Sequence, residues 1–181
     1  MRVVPFQKSL MSRPASGLGC AATAALLIFC GGCIGPSGSW MSRRSSAEVA
    51  VREAERLLEA HRRTGAFPYV FGGNPRYDAE GRIVGGAFDC SALIRHCYWQ
   101  AGVALPRVSR DQAMTGRDVL RRRRRRGDVL AFDTDADGAV NHVGLYVGGG
   151  RMIHTNGPEK GINEAPLAGH WAKVLVAARR P

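Results

Sequence analysis

The sequence predicts an α+β fold, with N-terminal helices packed on a largely antiparallel sheet. Two observations carry this. As far as residue 119, apolar side chains recur mostly at helical spacing, interrupted by one glycine-rich stretch. Beyond the arginine run Arg121–Arg126 the period becomes strand-like, and short apolar runs alternate with turn signals. Strands gathered after a block of helices point to segregated layers rather than βαβ units.

In chain order, Ser45-x-x-Glu48 is a capping box, and Ala50, Val51, Ala54, Leu57, Leu58 and His61 form a helical stripe that Gly65 ends. Tyr69 to Gly73 is a short β-like run. Residues 74–87, rich in glycine and charge, read as a loop beside the site. Asp89 is a candidate N-cap for a helix from Cys90 to Ala101 that places Cys90, Ile94, Cys97 and Ala101 on one face. Ser109-x-x-Gln112, a second capping box, starts a short helix toward Val119. Asp128–Asp133, His142–Val147, Arg151–Thr155 and Lys173–Arg179 read as strands, the middle two joined by Gly148-Gly149-Gly150.

The net charge of +11 comes from 26 basic and 15 acidic residues. Six of the bases are the single run Arg121–Arg126, and without it residues 34–181 are close to neutral. The charge therefore implies one local contact with an anionic partner, anionic lipid or wall polymer, and not a nucleic-acid-coating surface; no nucleic acid is expected. Arg2, Lys8 and Arg13 precede a short apolar stretch, Ala21–Cys30, too short to span a bilayer. Residues 1–33 thus read as an export signal of lipoprotein type. It resembles a lipobox in which Cys33 is lipidated and anchors the chain to a membrane, although Cys30 stands where Leu is usual. Ile34 rather than Asp fits sorting to an outer membrane, and residues 34–46 read as a flexible linker. The expectation is a periplasmic or outer-membrane lipoprotein whose domain, residues 47–181, is a monomer. Cys90 and Cys97 lie about 10 Å apart along one helix, too far for a disulfide.

A cysteine at the first position of a helix meets the positive end of the dipole and free N–H groups, which favour the thiolate. The hairpin register decides whether histidines can serve it. With a three-residue glycine loop, Val147 faces Arg151 and Gly144 faces His154, so His142 and His154 share a face as diagonal neighbours. A two-residue loop separates them. On the first register, small Gly144 leaves room beside the helix end. Cys90 is then a candidate nucleophile, His142 its base and His154 the group that orients His142, with the Cys90 N–H donating to an oxyanion.

Six ordered motifs sharpen this: Tyr69-x-Phe71-Gly72-Gly73, Phe88-Asp89-Cys90-Ser91, Leu105-Pro106-Arg107-x-Ser109, Gly127-Asp128, His142-Val143-Gly144-x-Tyr146 and Met152-Ile153-His154. Together they resemble the NlpC family of papain-like cysteine peptidases, bacterial cell-wall endopeptidases that cut peptidoglycan stem peptides. The resemblance covers residues 47–181 and implies a papain-like fold with catalytic Cys90, His142 and His154, no cofactor, and no metal. It implies substrate contacts at Tyr69, Asp89 and Ser91, the last two toward the free amine or polar groups of the stem. Ala92 departs from the usual glycine, Arg126 from the usual proline, and residues 74–87 are longer than usual. Other chemistry on this fold stays open, an amidase or acyltransferase, or a silent wall-binding protein; so does zinc ligation by Cys90, His142 and His154. Asp133-x-Asp135-x-Asp137-Gly138 resembles the start of a calcium loop but has Gly144 at the twelfth position. His96 and His170 lack an evident partner.

Overall fold

The computed structural model describes residues 45–181. The export signal expected over residues 1–33, lipidation at Cys33 and the linker as far as residue 44 lie outside the described residues. Helix α1 (Ser46–Thr64) starts on Ser45, whose hydroxyl accepts the Glu48 N–H at 3.3 Å, and ends on Gly65 in the left-handed region. Half of the capping box forms; the Glu48 carboxylate turns instead to Arg52 and Arg126. Helix α2 (Cys90–Gln100) begins on Asp89 as expected. Its exposed positions are few, because it lies between α1 and the sheet.

Residues 74–87 are not a loop. They fold as a hairpin, β1 (Pro75–Tyr77) antiparallel to β2 (Ile83–Gly86), whose Tyr77 ring packs on His96 and Trp99 of α2. The helix expected from Ser109 stops after one turn, α3 (Ser109–Gln112). Its cap is Val108 and no side chain caps it; the Gln112 amide turns inward and donates to the carbonyls of Ser91 and Pro106. The chain then passes Gly116, φ +81°, so close to the Arg180 carbonyl that no Cβ fits, and enters β3 (Arg117–Asp118). Arg121–Arg123 form one 3-10 turn.

Strands β4 (Val129–Phe132), β5 (His142–Gly148), β6 (Arg151–Thr155), β7 (Ile162–Pro166) and β8 (Leu175–Arg180) complete the sheet, with helix α4 (His170–Val174) before β8. The order is β3-β8-β4-β5-β6-β7, every neighbour antiparallel. β7 and α4 carry too little periodicity to be read from sequence. One sheet face packs Val143, Leu145, Val147 and Ile153 against α1 and α2; the other packs Leu130, Phe132 and Met152 against Trp171 and Leu175.

The β5–β6 turn is tighter than expected. Gly148 pairs with Arg151, so the turn is the two residues Gly149-Gly150, both at positive φ. A bulge at Val147 absorbs the extra residue and restores Leu145 opposite Ile153. His142 and His154 therefore do share a face. Gly144 lies on that face too, away from α2, and the space it leaves is taken by Met152 Sδ, 2.8 Å from where a Cβ would stand.

Gly127 joins the layers: at φ +89° its missing Cβ would collide with Ala47 Cβ, and its carbonyl accepts the Tyr98 hydroxyl. Gly127→Ala should destabilise the fold by about 2–4 kcal/mol, from left-handed strain plus overpacking, read as a lowered urea midpoint of the full chain. A midpoint unchanged from the parent contradicts that close approach.

Candidate active site

The β-like run expected over Tyr69–Gly73 is a single bridge followed by a turn at Phe71-Gly72: Tyr69 bridges Phe88, Val70 N–H donates to the Phe88 carbonyl at 3.2 Å, Phe88 N–H to the Pro68 carbonyl at 3.1 Å, and Gly73 N–H closes the turn on the Val70 carbonyl at 2.8 Å. Phe88 is buried against Phe67. This pairing delivers Asp89 to the start of α2. Asp89 Oδ1 accepts the Ala92 N–H at 2.7 Å and the Ser91 hydroxyl at 3.0 Å, and Oδ2 accepts the Gly72 N–H at 3.1 Å.

Arg107, part of a motif but not read from the sequence as a site residue, completes the cluster. Its guanidinium donates to Asp89 Oδ1 at 3.0 Å and Oδ2 at 2.7 Å, to Ser91 Oγ at 2.9 Å, to the Gly73 carbonyl at 3.0 Å and to Asn74 Oδ1 at 2.9 Å. Those five bonds use the whole donor inventory of an arginine. Pro106 before it gives a sequence-level reason for an extended approach, but nothing in the sequence names Asp89 as its partner.

Cys90 is the first residue of α2 and its thiol lies against the main chain of β5. Burial pushes the thiol up to about 11; the N–H groups of Val143, Ser91 and Cys90 itself oppose this, and the Asp89 charge adds to it. The helix N-terminus alone therefore does not yield the thiolate expected from sequence, because desolvation outweighs it. Tyr69 shares this environment: burial, with the nearby Cys90 and Asp89, raises its phenol above the usual value.

His142 Nε2 and His154 Nδ1 are 2.9 Å apart. Trp171, absent from the sequence reading, closes over both rings at centroid distances of 5.1 and 4.8 Å, with Phe132 beneath His142. Burial and the neighbouring imidazole hold His142 down to about 3, and burial holds His154 down to about 4, so both rings are neutral at pH 7. Asn163 on β7 stands opposite His154, whose Nε2 is buried without a hydrogen-bond partner. With two of their nitrogens bonded to each other, the histidines are not arranged as zinc ligands beside Cys90.

The other histidines have structural partners. His96 lies buried between Glu53 and Tyr77, 2.8 Å from each, which the sequence did not reveal. His61 accepts the Phe67 N–H and approaches the Lys160 carbonyl. His170 opens α4 beside Trp171. The carboxylates of Asp133, Asp135 and Asp137 converge within 4.8 Å, but they are engaged in their own turn: Asp133 accepts from the Asp137 and Gly138 N–H groups, and Asp137 from Ala139.

Several known proteins are similar to this chain. The model of the NlpC/P60 family matches residues 65–180. The γ-D-glutamyl-L-lysine dipeptidyl-peptidase of Bacillus subtilis is 36% identical over 143 residues, 76% of this chain and 45% of that protein. The peptidoglycan endopeptidase RipB of Mycobacterium tuberculosis is 34% identical over 128 residues, 68% of this chain and 49% of that protein. The chain thus spans less than half the length of these curated relatives. The solved structure of the peptidoglycan hydrolase RipB from Mycobacterium tuberculosis superposes with a TM-score of 0.56 at 28% identity, covering 81% of this chain and 71% of that one. An NlpC/P60 family protein from Bacillus cereus superposes with a TM-score of 0.57 at 28% identity, covering 76% and 43%. With six ordered motifs, the α+β architecture and a family match across most of the described residues, this chain belongs to the NlpC/P60 family.

Proposed function

We propose that the protein is a cysteine endopeptidase that hydrolyses amide bonds in peptidoglycan stem peptides, with Cys90 as nucleophile, His142 as base and His154 as the residue that positions it. The carrying observation is the His142 Nε2 to His154 Nδ1 bond on the strand whose next residue, Val143, lies near enough to Cys90 for its N–H to favour the thiolate. With His142 Nε2–H donating to His154, Nδ1 of His142 keeps a lone pair and is the nitrogen able to take the thiol proton. Since thiol and imidazole both rest neutral, the proton passes to His142 as the sulfur attacks the carbonyl, rather than beforehand. The first-turn N–H of Cys90 has no intrahelical acceptor and faces the oxyanion. His142 then protonates the leaving amine. Water, losing its proton to His142, cleaves the thioester and restores the thiol.

Tyr69, Asp89 and Ser91 form the polar wall that receives the amino end of the stem. The Asp89 charge is shared with Arg107, so this wall offers the amine a polarised carboxylate edge more than a free anion. The peptidoglycan-cleaving names of the relatives support the substrate class. By the sequence pattern of residues 1–46, the domain over 47–181 works as an exported monomer tethered by a lipid at Cys33 in the cell envelope. Among the described residues no helix is long and apolar enough to cross a membrane.

Mass spectrometry of muropeptides incubated with the full chain tests the reading. New fragments should appear, and Cys90→Ala should lower their rate more than about 1,000-fold, as loss of a nucleophile does. His154→Gln should cost roughly 100-fold in kcat through misplacement of His142. Unchanged turnover by Cys90→Ala defeats the peptidase reading, and transfer products in place of hydrolysed ones favour an acyltransferase.

The neutral pair sets the pH profile. kcat/KM should stay level from pH 8 down to about 5.5, with no limb at the ordinary imidazole value of about 6.5; Trp171→Ala, admitting water, should move the acid limb up toward it. Stability follows the same groups. Both histidines sit below their unfolded value, so the unfolded chain takes up protons first. Their contribution is present above pH 6.5 and is lost as the pH falls toward 4 and 3. A wild-type limb near 6.5 is the outcome that contradicts this.

Arg107→Lys keeps the charge but not the five-donor fork. It should lower kcat/KM at least tenfold and stability by roughly 2 kcal/mol, measured by muropeptide kinetics and urea unfolding. A fully active lysine variant shows that charge alone is enough.

A further inference from the structure

The arginine run takes no part in the cleft. Its two ends are committed to the fold. Arg121 donates to the carbonyls of Ala172 and Leu175, and Arg126 to the Val147 carbonyl and to Glu48 and Glu55. Of the four arginines between them, the side chains of Arg122, Arg123 and Arg125 are not. Arg122, Arg123 and Arg125 are exposed, and none forms an ion pair among the described residues. Arg124 lies over the Tyr146 ring at 5.5 Å, and its Nε is buried with no hydrogen-bond partner.

Together with Arg117 of β3 and Arg180 of β8, these four line a concavity of about 650 Å³. The acid in its lining, Asp118, is paired with Arg179 at 2.8 Å. Asp128 beneath it accepts from Arg180 at 2.6 Å and from the Arg125 N–H at 2.7 Å, holding the backbone so that the remaining guanidinium groups stay free. Arg180 is offset by Asp128, but the guanidinium groups of Arg122, Arg123 and Arg125 have no acid partner among the described residues, and converging cations repel one another. Planar guanidinium forks match phosphoryl oxygens in geometry as well as charge. The concavity sits at the Val129 end of β4, whereas Phe132 at the other end pairs with His142. The two sites are thus roughly 10 Å or more apart along the strand, and an occupant leaves Cys90 and His142 uncovered.

We propose that this arginine-lined concavity binds a phosphate-bearing anion carrying several negative charges, independently of catalysis. Titration calorimetry of the full chain with tripolyphosphate at about 50 mM NaCl should show saturable one-site binding that weakens strongly at about 500 mM, where screening is short-ranged. The triple variant Arg122→Gln, Arg123→Gln, Arg125→Gln should bind at least tenfold more weakly, the loss of one or more charge-assisted hydrogen bonds, while muropeptide cleavage is unchanged. A triple on α1, Arg52→Gln, Arg62→Gln, Arg63→Gln, removes equal charge and should bind nearly as the parent does. Flotation with vesicles of phosphatidylglycerol and phosphatidylcholine separates the sources. Vesicle binding lost in the first triple assigns a lipid headgroup; tripolyphosphate binding without it assigns a soluble or polymeric phosphate. Absence of saturable binding at low salt, or equal loss in both triples, overturns the proposal. Because the readout is binding, it also stands or falls apart from the peptidase reading, and Cys90→Ala should bind as the parent does.

Discussion

The bidentate pairing of Arg107 with Asp89 is the constraint on which the rest of the site depends. One guanidinium ties together the Gly72–Asn74 turn, the cap of α2 and the segment after Pro106. Each tie is modest alone, since a partly exposed ion pair contributes little. Their convergence matters more. Asp89 must hold one rotamer to cap α2, and that rotamer is set by Arg107 and the Gly72 N–H together. The position of the thiol one residue later follows from it. The same carboxylate is therefore a helix cap and an ion-pair partner at once, so it cannot be exchanged for a better cap without disturbing the pair.

The histidine side is held by different physics. There the rings are locked by apolar packing, with Trp171 and Phe132 excluding water, and this burial keeps both neutral. One half of the site is thus fixed by charge-assisted hydrogen bonds and the other by desolvation. Their meeting point is the start of β5, where Val143 lies beside Cys90.

Local signals carried much of this in the sequence. The Asp89 cap, both main helices and four strands follow from capping residues, glycine stops and periodicity. The shared face of His142 and His154 was also legible, though for an incomplete reason: the three glycines are not all loop, and a bulge at Val147 makes up the difference. What stayed hidden depends on distance in sequence. Trp171 lies in a stretch without periodicity, and the partners of Arg107 and His96 are far away along the chain. The loop expected over residues 74–87 is a hairpin because its aromatic, Tyr77, finds α2; no alternation within those residues announces it. At Cys90 the helix terminus is visible in the sequence, whereas the burial that opposes it is not.

The place of β8 in the sheet has a consequence for how the protein comes to exist. This last strand lies between β3 and β4 rather than at an edge. A chain made amino end first contains Cys90, His142 and His154 before residues 175–180 are added. Until then β4 lacks one neighbour and β3 has none. Such non-local pairing forms late and slowly. The core of the sheet thus closes around a strand that is made after every other element it pairs with, so β4 gains its second neighbour and β3 its first only when residues 175–180 are in place.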